Sequence, residues 1–196
     1  MKIGYLAWGS LLWDYSSLKL KTKWKKSQLQ LPLNFSRISD KGKGRLTLVI
    51  DNENGKLNDT FIATAKTSNL NKAISNLKLR EKTKKSSVGY VNLKDNSHRT
   101  KLLKNFQIDQ LIELTKKNNL DALIWTDIAP NFEEITGKKI NTINAMKYID
   151  SKIEKPKMYI KIIKYIILCK IYGKIKTPIS NSVIKKLLCY NINKNS

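Results

Sequence analysis

The sequence contains few of the side chains that enzymes most often use as nucleophiles, metal ligands or bases near neutral pH. It has 196 residues but only one histidine, His98, and two cysteines, Cys169 and Cys189. A Ser-His-Asp triad needs a histidine that a third group orients, and His98 lies in the polar segment 94–101, where we expect a surface position. Two cysteines without CxxC spacing form neither a zinc site nor a disulfide framework. We therefore expect no metal site and two reduced thiols, as in a cytoplasmic protein.

The sequence also lacks nucleotide-binding motifs and segments that enter membranes. No GxxxxGK[ST] loop is present and no GxGxxG opens a helix after a strand, which excludes nucleotide binding through these motifs. The N-terminal residues 1–13 are apolar but have no basic region followed by an apolar region and a cleavage site, and they contain Gly4, Gly9 and Ser10, so we expect a strand and a loop there and not a signal peptide. The most apolar late segment, 158–172, contains Lys161, Lys164 and Lys170, and each charge costs about 2.5–3.5 kcal/mol at the centre of a bilayer. We expect a cytoplasmic protein with no membrane partner.

Positive charge is the strongest bias of the composition. The formal net charge is +23, which is typical of proteins that bind nucleic acids or anionic surfaces. However, only four of the 38 basic residues are arginine, the side chain that best grips phosphates and bases. The lysines are spread along the whole chain, and asparagine and isoleucine are also abundant, as in proteins encoded by AT-rich genomes. We expect a solvated, lysine-rich surface and do not expect nucleic acid to be the partner.

Hydrophobic periodicity predicts several strands followed mainly by helices. Alternating apolar residues predict strands, and apolar residues three or four positions apart predict helices. The predicted strands are residues 2–7, 29–39, 45–51, 60–66, 87–93 and 121–128. One predicted helix begins at Ser68, and the others are residues 108–117, 142–153, 157–172 and 179–188. This order is typical of an α+β protein.

The expected architecture is a small mixed β-barrel or curled sheet flanked by helices, with extra helices at the C-terminus. Gly42 and Gly44 lie between two predicted strands and predict a hairpin there. No composition shift marks a second domain. We therefore expect one domain over residues 1–196, with a core of about 1–130 and a helical extension of about 141–190.

The first predicted strand runs directly into the turn Trp8-Gly9-Ser10-Leu11. Glycine allows the backbone to approach a ligand closely and to adopt a positive φ. Successive N–H groups in such a turn can form a small anion-binding site. A carboxylate or a developing oxyanion would fit there, and an ordinary turn at the end of a strand is the alternative.

The first predicted helix carries an acidic residue in line with its apolar face. Its apolar positions are Leu70, Ala73, Ile74 and Leu77. Glu81 follows Leu77 by four positions and therefore extends the same stripe. Burial would raise the pKa of the Glu81 carboxyl toward neutrality, which suits a general acid/base. Arg80 is expected to point about 100° away and not to neutralise the carboxylate. The alternative is a helix that ends near Leu79 and leaves Glu81 solvated.

Together the turn and the helix resemble two motifs of the γ-glutamyl cyclotransferase-like proteins. Residues 6–12, LAWGSLL, resemble the F-A-Y-G-S-N-L loop that opens these proteins, and residues 77–81, LKLRE, look like the segment that carries their catalytic glutamate. The segments LPLNFSRIS, RLTLVID, LDALIWTDI and KIKTPI are similar to an uncharacterised bacterial branch of the superfamily. The resemblance covers roughly residues 1–188. It departs from the usual motif at Trp8 (Tyr), Leu11 (Asn) and Lys82 (Gly).

The resemblance implies a small mixed β-barrel surrounded by helices, with a pocket at its mouth. It also implies an enzyme of lyase or acyltransferase type that needs no cofactor or metal and converts a γ-glutamyl amine or peptide to 5-oxoproline. Glu81 would be the catalytic acid/base. Backbone N–H groups of Gly9, Ser10 and Leu11 would hold the substrate carboxylate or the oxyanion. Trp8 belongs to the same substrate-binding loop.

Three further residues are candidates for the same substrate site. Arg37, in a predicted strand, would pair with a carboxylate, or else face outward from the strand. Asp127, at the end of a strand, would be a second acid or would help cap a turn. Tyr5 would supply a hydroxyl group or belong to the core.

Two other functions remain open at this stage. A regulatory protein on the same fold would bind a small molecule without turning it over. A basic nucleic-acid-associated protein would use the lysines for binding, with a steep dependence of affinity on salt. The sequence does not indicate the oligomeric state.

Overall fold

Most strands come from the first two thirds of the chain, and most helices from the last third. The computed structural model describes residues 1–40 and 44–192. Its strands are β1 (Ile3–Ala7), β2 (Lys25–Ser39), β3 (Arg45–Ile50), β4 (Lys56–Thr64), β5 (Val88–Asn92), β6 (Ser97–Arg99) and β7 (Ala122–Thr126). Its α-helices are α1 (Leu70–Glu81), α2 (Asn105–Lys117), α3 (Phe132–Thr136), α4 (Thr142–Asp150), α5 (Pro156–Gly173) and α6 (Pro178–Ile192). Short 3₁₀ helices cover Gly9–Leu12, Ser16–Leu18 and Lys85–Ser87.

The seven strands form one mixed sheet in the order β3-β2-β4-β1-β7-β5-β6. Strand β1 pairs parallel with β7 and antiparallel with β4, while β2–β3, β5–β7 and β5–β6 are antiparallel pairs. The parallel pair requires a long crossover, which contains helices α1 and α2. The structure therefore confirms the predicted α+β class and the mixed sheet with helices.

The predicted barrel is wrong, because the sheet within the described residues is open, with β3 and β6 as its outer strands. Strand β6 has only three residues, and its ladder with β5 ends at the pair Tyr90–Arg99. A very short outer strand is one of the ways in which proteins protect a sheet edge without closing a barrel. The periodicity of the sequence contains no information about this edge.

The chain divides into two compact units. Unit 1 comprises Met1–Leu31 and Asp59–Ala129, and unit 2 comprises Pro32–Asn58 and Pro130–Ser196. The expected single domain over 1–196, with its core and helical extension, stays a prediction.

The core of unit 1 is formed by α1 and the strands that it covers. The buried positions of α1 are Ala73, Ile74 and Leu77, as the apolar stripe predicted. They pack in one cluster with residues of β1 and β7, among them Ile3 and Ile124. Complete burial of a leucine or isoleucine side chain contributes about 1.5–3 kcal/mol, so this cluster fixes α1 against the sheet.

Unit 2 is built around helix α5 and strand β3. Tyr165 of α5 accepts a hydrogen bond from the backbone N–H of Leu48 at 3.3 Å. The guanidinium of Arg45 lies 4.3 Å from the centre of the same ring, a cation–π contact. Cys169, one turn further along α5, is fully buried, and this burial raises the pKa of its thiol to about 12. Cys189 is exposed.

Helix α5 contains the most apolar late segment of the chain, residues 158–172. Its lysines Lys161 and Lys164 are exposed, whereas Ile162 and Ile166 on the opposite side are fully buried. None of the helices in the described part of the chain combines the length and the apolar character that crossing a bilayer requires.

Several predicted boundaries shift in the structure. Asn69, not Ser68, caps α1 by accepting a hydrogen bond from the N–H of Lys72 at 2.9 Å. The predicted hairpin loop includes Gly42, which lies outside the described residues. Helix α3 and strand β6 were not predicted, because such short elements show no periodicity.

Candidate functional site

The Gly9 turn is held in a defined conformation at the end of β1. Trp8 is still extended, with φ −150°, and Gly9 then adopts a φ of +59°. That region of backbone space is readily accessible only to glycine. The carbonyl of Ser10 accepts hydrogen bonds from the N–H groups of Trp13 at 3.3 Å and Asp14 at 2.9 Å. The turn is therefore compact and organised by its own backbone.

Helix α1 ends at Glu81, beside the last residues of its apolar stripe. The next residue, Lys82, has a left-handed φ of +51° and donates its N–H to the carbonyl of Leu79 at 3.2 Å. The N–H of Thr83 reaches the carbonyl of Lys78 at 3.1 Å, which completes a helix stop of the Schellman type. Glu81 is thus the last helical residue, and its side chain is 19% exposed.

The Arg80 side chain joins the Gly9 turn to Glu81. Its Nη2 atom donates to Ser10 Oγ at 3.0 Å, and its Nη1 atom donates to Glu81 Oε1 at 3.2 Å. The expectation that Arg80 points away from Glu81 is wrong. Helix geometry predicts only the direction in which the Cα–Cβ bond of Arg80 points. The long side chain beyond that bond turns so that its Nη1 atom reaches Glu81. Sequence reasoning missed Arg80 for this reason.

Arg80 makes two further contacts with the segment that follows the turn. Its Nε donates to the Asp14 carbonyl at 2.8 Å, and its Nη2 lies 3.4 Å from Asp14 Oδ2. The Asp14 side chain is 66% exposed, whereas the Arg80 side chain is 13% exposed. The Arg80 side chain is therefore largely withdrawn from solvent and contacts both the backbone and the carboxylate of Asp14.

The side chains of the candidate loop residues lie mainly in the core. Trp8 is 6% exposed and Leu11 is 4% exposed, and Leu11 belongs to the cluster that includes Leu77. The side chains of Trp8 and Leu11 are therefore withdrawn from solvent and contribute to packing. The structure brings Gly9, Ser10 and Leu11 to the end of α1 through the Arg80 bridge.

Tyr5 links β1 to helix α1. Its hydroxyl donates to the carbonyl of Ala73 at 3.2 Å, and the residue is 1% exposed. Burial raises the pKa of Tyr5 to about 12, although a hydrogen bond with Asn76 opposes this effect. These contacts are those of a core tyrosine that fixes α1 against the sheet.

Asp127 lies just after β7 and anchors the segment that follows β6. Its carboxylate accepts hydrogen bonds from Thr100 Oγ1 at 3.2 Å and from the backbone N–H of Lys101. Its own N–H donates to the carbonyl of Ser87 at 2.9 Å. Burial raises the pKa of Asp127, and the hydrogen bond from Lys101 opposes this effect. The carboxylate of Asp127 therefore caps a turn, as one alternative predicted, but this turn is at residues 100–101 and precedes Asp127 in the chain.

Arg37 belongs to unit 2, whereas the other candidate residues belong to unit 1. It lies in β2 opposite Thr47 of β3, and its carbonyl accepts a hydrogen bond from Thr47 Oγ1 at 3.2 Å. Its part in ligand binding stays a prediction.

The other chemistry-bearing side chains that the structure describes do not form a cluster of metal-ligand type. Among residues 1–40 and 44–192, no group of three or more His, Cys, Asp or Glu side chains could hold a metal ion. His98 is exposed on β6.

The Glu81 carboxylate and the Ser10 hydroxyl group of the turn thus bind one guanidinium. In general, a carboxylate can act as an acid/base and the N–H groups of a turn can stabilise a developing oxyanion, and these are the two elements of a cofactor-independent acyl transfer. No family model, no curated protein and no solved structure matches this chain.

Proposed function

We propose that this chain is a γ-glutamyl cyclotransferase-like enzyme that converts a γ-glutamyl amine or peptide to 5-oxoproline, with Glu81 as the acid/base. One observation carries the proposal. A single guanidinium group, that of Arg80, contacts both Ser10 Oγ and Glu81 Oε1. The two motifs that resemble this family are 70 residues apart in sequence and meet in space. On this proposal the open mixed sheet is a variant of the family's fold.

The first chemical step is the formation of the amine nucleophile. The substrate's α-ammonium transfers a proton to the Glu81 carboxylate, and the neutral amine attacks the γ-carbonyl carbon to close a five-membered ring. Orientation of two reacting groups in one bound molecule can contribute about 7–11 kcal/mol to catalysis. The protein therefore needs to hold the γ-glutamyl chain in a folded conformation.

The second step releases the amine. Protonated Glu81 donates to the leaving nitrogen as the bond between this nitrogen and the γ-carbon breaks. The ring nitrogen then loses a second proton to Glu81, which passes it to the free amine. The products are 5-oxoproline and an ammonium ion, and Glu81 is again a carboxylate.

The Gly9 turn supports both the ground state and the tetrahedral intermediate. The backbone N–H groups of Gly9, Ser10 and Leu11 are the proposed donors to the substrate carboxylate or to the oxyanion. Such donors act on charge that develops in the transition state, and loss of one typically lowers kcat about 10²–10³-fold. Position 11 carries leucine where the family has asparagine, so this chain has no side-chain amide there to bind the substrate. We therefore propose that γ-glutamyl amines are candidate substrates alongside γ-glutamyl peptides.

The proposal predicts that Glu81→Gln folds normally but forms 5-oxoproline far more slowly than the wild type. Glutamine keeps the shape and the hydrogen-bonding oxygen of Glu81 but cannot take up the ammonium proton, so the rate should fall about 10²–10⁴-fold. The assay measures 5-oxoproline by mass spectrometry across a panel of γ-glutamyl amines and dipeptides.

Glu113→Gln is the matched control, because Glu113 is an exposed residue of α2 paired with Lys116. It should turn over as fast as the wild type. Equal rates for the wild type and Glu81→Gln would exclude Glu81 as the acid/base.

A second candidate function is binding of a γ-glutamyl compound without turnover. The Arg80–Glu81 ion pair favours it, because a carboxylate that already binds a guanidinium must share its oxygen during proton transfer. A ligand that raises the melting temperature and stays chemically unchanged after long incubation would support this function over the enzyme.

A further inference from the structure

Arg80 donates hydrogen bonds to three different residues at the end of helix α1. It donates to a backbone carbonyl through Nε, to a carboxylate through Nη1 and to a hydroxyl group through Nη2. All three nitrogen atoms of the guanidinium thus donate a hydrogen bond, and the side chain is 13% exposed. An ion pair between exposed, mobile side chains contributes little to stability. A guanidinium that bonds to three groups at once limits the movement of these groups relative to one another.

The acceptors of Arg80 come from both halves of the candidate site. Ser10 and Asp14 belong to the turn and its continuation, and Glu81 is the proposed acid/base. The Ser10 hydroxyl bond is 3.0 Å and the Asp14 carbonyl bond is 2.8 Å long, so the 10–14 segment is attached to α1 at two points. A shift of this segment would move the proposed oxyanion donors relative to the carboxylate.

We propose that Arg80 is a positioning residue that sets the distance between the Gly9 turn and the Glu81 carboxylate; this inference rests on the proposed function. It does not take part in proton transfer. It holds one oxygen of Glu81, so that the carboxylate keeps a single orientation toward the amine of the substrate.

A lysine at position 80 keeps the charge but not the geometry. Its ammonium is a compact point charge, whereas the arginine fork is planar and addresses several acceptors at fixed angles. Arg80→Lys therefore separates a general need for positive charge from the specific bridge.

The experiment compares wild type, Arg80→Lys and Arg80→Ala by steady-state kinetics of 5-oxoproline formation. Both variants should show kcat lower by about 100-fold, the effect expected of a displacement of about 1 Å, with a smaller change in KM. Added guanidinium ion should restore part of the activity of Arg80→Ala, and methylammonium should not. Wild-type kcat in Arg80→Lys would overturn the proposal.

The matched control is Arg99→Lys, because Arg99 is an arginine of unit 1 whose bonds go to other carbonyls, those of Val88 and Lys85. Its replacement should lower the melting temperature without selectively lowering kcat. An equal loss of kcat in both lysine variants would show that general loosening is the cause and would overturn the positioning role.

Hydrogen exchange separates the failure of this inference from the failure of the proposed function. The N–H groups of Trp13 and Asp14 bond to the Ser10 carbonyl, so their exchange should be faster in Arg80→Lys than in wild type, whether or not the protein is an enzyme. If the wild type forms no 5-oxoproline but exchange is faster in Arg80→Lys, the proposed function fails, and with it the role of Arg80 in the reaction, whereas the bridge between the turn and α1 stands. Unchanged exchange at both positions would overturn the bridge itself.

Discussion

Residues with unusual local requirements were the most predictable part of the site. Glycine permits a positive φ where a strand runs directly into a Gly-Ser turn, and the φ of Gly9 is +59°. Glu81 was expected in line with the apolar face of α1, and it is the last residue of that helix. The hydrogen-bond partners of the Arg80 guanidinium could not be predicted, because its acceptors come from segments that only the folded chain brings together.

Tyr5 gives a residue-scale prediction about pH. Burial holds its pKa at about 12, against 10.0 for an unperturbed tyrosine. Below pH 10 both the folded and the unfolded states keep Tyr5 neutral, and its bond to the Ala73 carbonyl should make the wild type about 1 kcal/mol more stable than Tyr5→Phe. As the pH rises from about 10 toward 12, only the unfolded state ionises, so the free energy of unfolding of the wild type should fall relative to that of Tyr5→Phe.

The measurement is urea unfolding of the two proteins at several pH values. Every other ionisable group is common to the two proteins, so the difference between their free energies of unfolding isolates Tyr5. A difference that stays constant from about pH 8 to pH 11 would contradict the assigned burial effect.

At the scale of elements, predictions succeeded where one pattern extended over many residues. The stripe of α1 and the alternation in β3 follow directly from helix and strand periods. Helix α3 and strand β6 have five and three residues, too few for a pattern to emerge. Their formation depends on pairing and packing partners that are remote in the sequence.

The end of α5 provides a prediction about an element. Lys174 follows the helix in a left-handed conformation with φ +52°, which costs a residue with a Cβ atom about 1–2 kcal/mol. Glycine adopts this conformation without strain but loses more entropy on folding. Lys174→Gly should therefore raise the free energy of unfolding by up to about 1 kcal/mol.

Lys164→Gly is the control for this stabilisation. Lys164 is an exposed residue in the interior of the same helix, where glycine should destabilise by about 1 kcal/mol. Chemical denaturation of both variants measures the two effects. If both glycines destabilised the protein to the same degree, the left-handed cap at Lys174 would not be a source of strain.

At the scale of the whole molecule, the order of the elements predicted the α+β class but not the closure of the sheet. Strands followed by helices limit the possible architectures to a few. Closure, however, depends on whether the two edge strands pair with each other. The edge strands here are β3 and β6, and β6 has only three residues and shows no periodicity. The net charge of +23 predicts a basic surface but does not indicate which molecule binds to it.

The meeting of the two motifs is also a property of the whole fold. Local patterns placed the Gly9 turn after a strand and Glu81 at a helix end, but sequence spacing alone cannot show that they are neighbours. The packing of α1 against β1 brings the turn and Glu81 together, and both of them bond to the side chain of Arg80.

The most direct test of the account is a crystal structure of the Glu81→Gln variant soaked with a γ-glutamyl amine. The substrate should lie between the turn at residues 9–11 and the end of α1, with its α-amine within hydrogen-bonding distance of residue 81 and a carboxylate or γ-carbonyl oxygen facing the turn's N–H groups. A ligand bound elsewhere in the molecule, or side chains filling the whole space between the turn and residue 81, would contradict it.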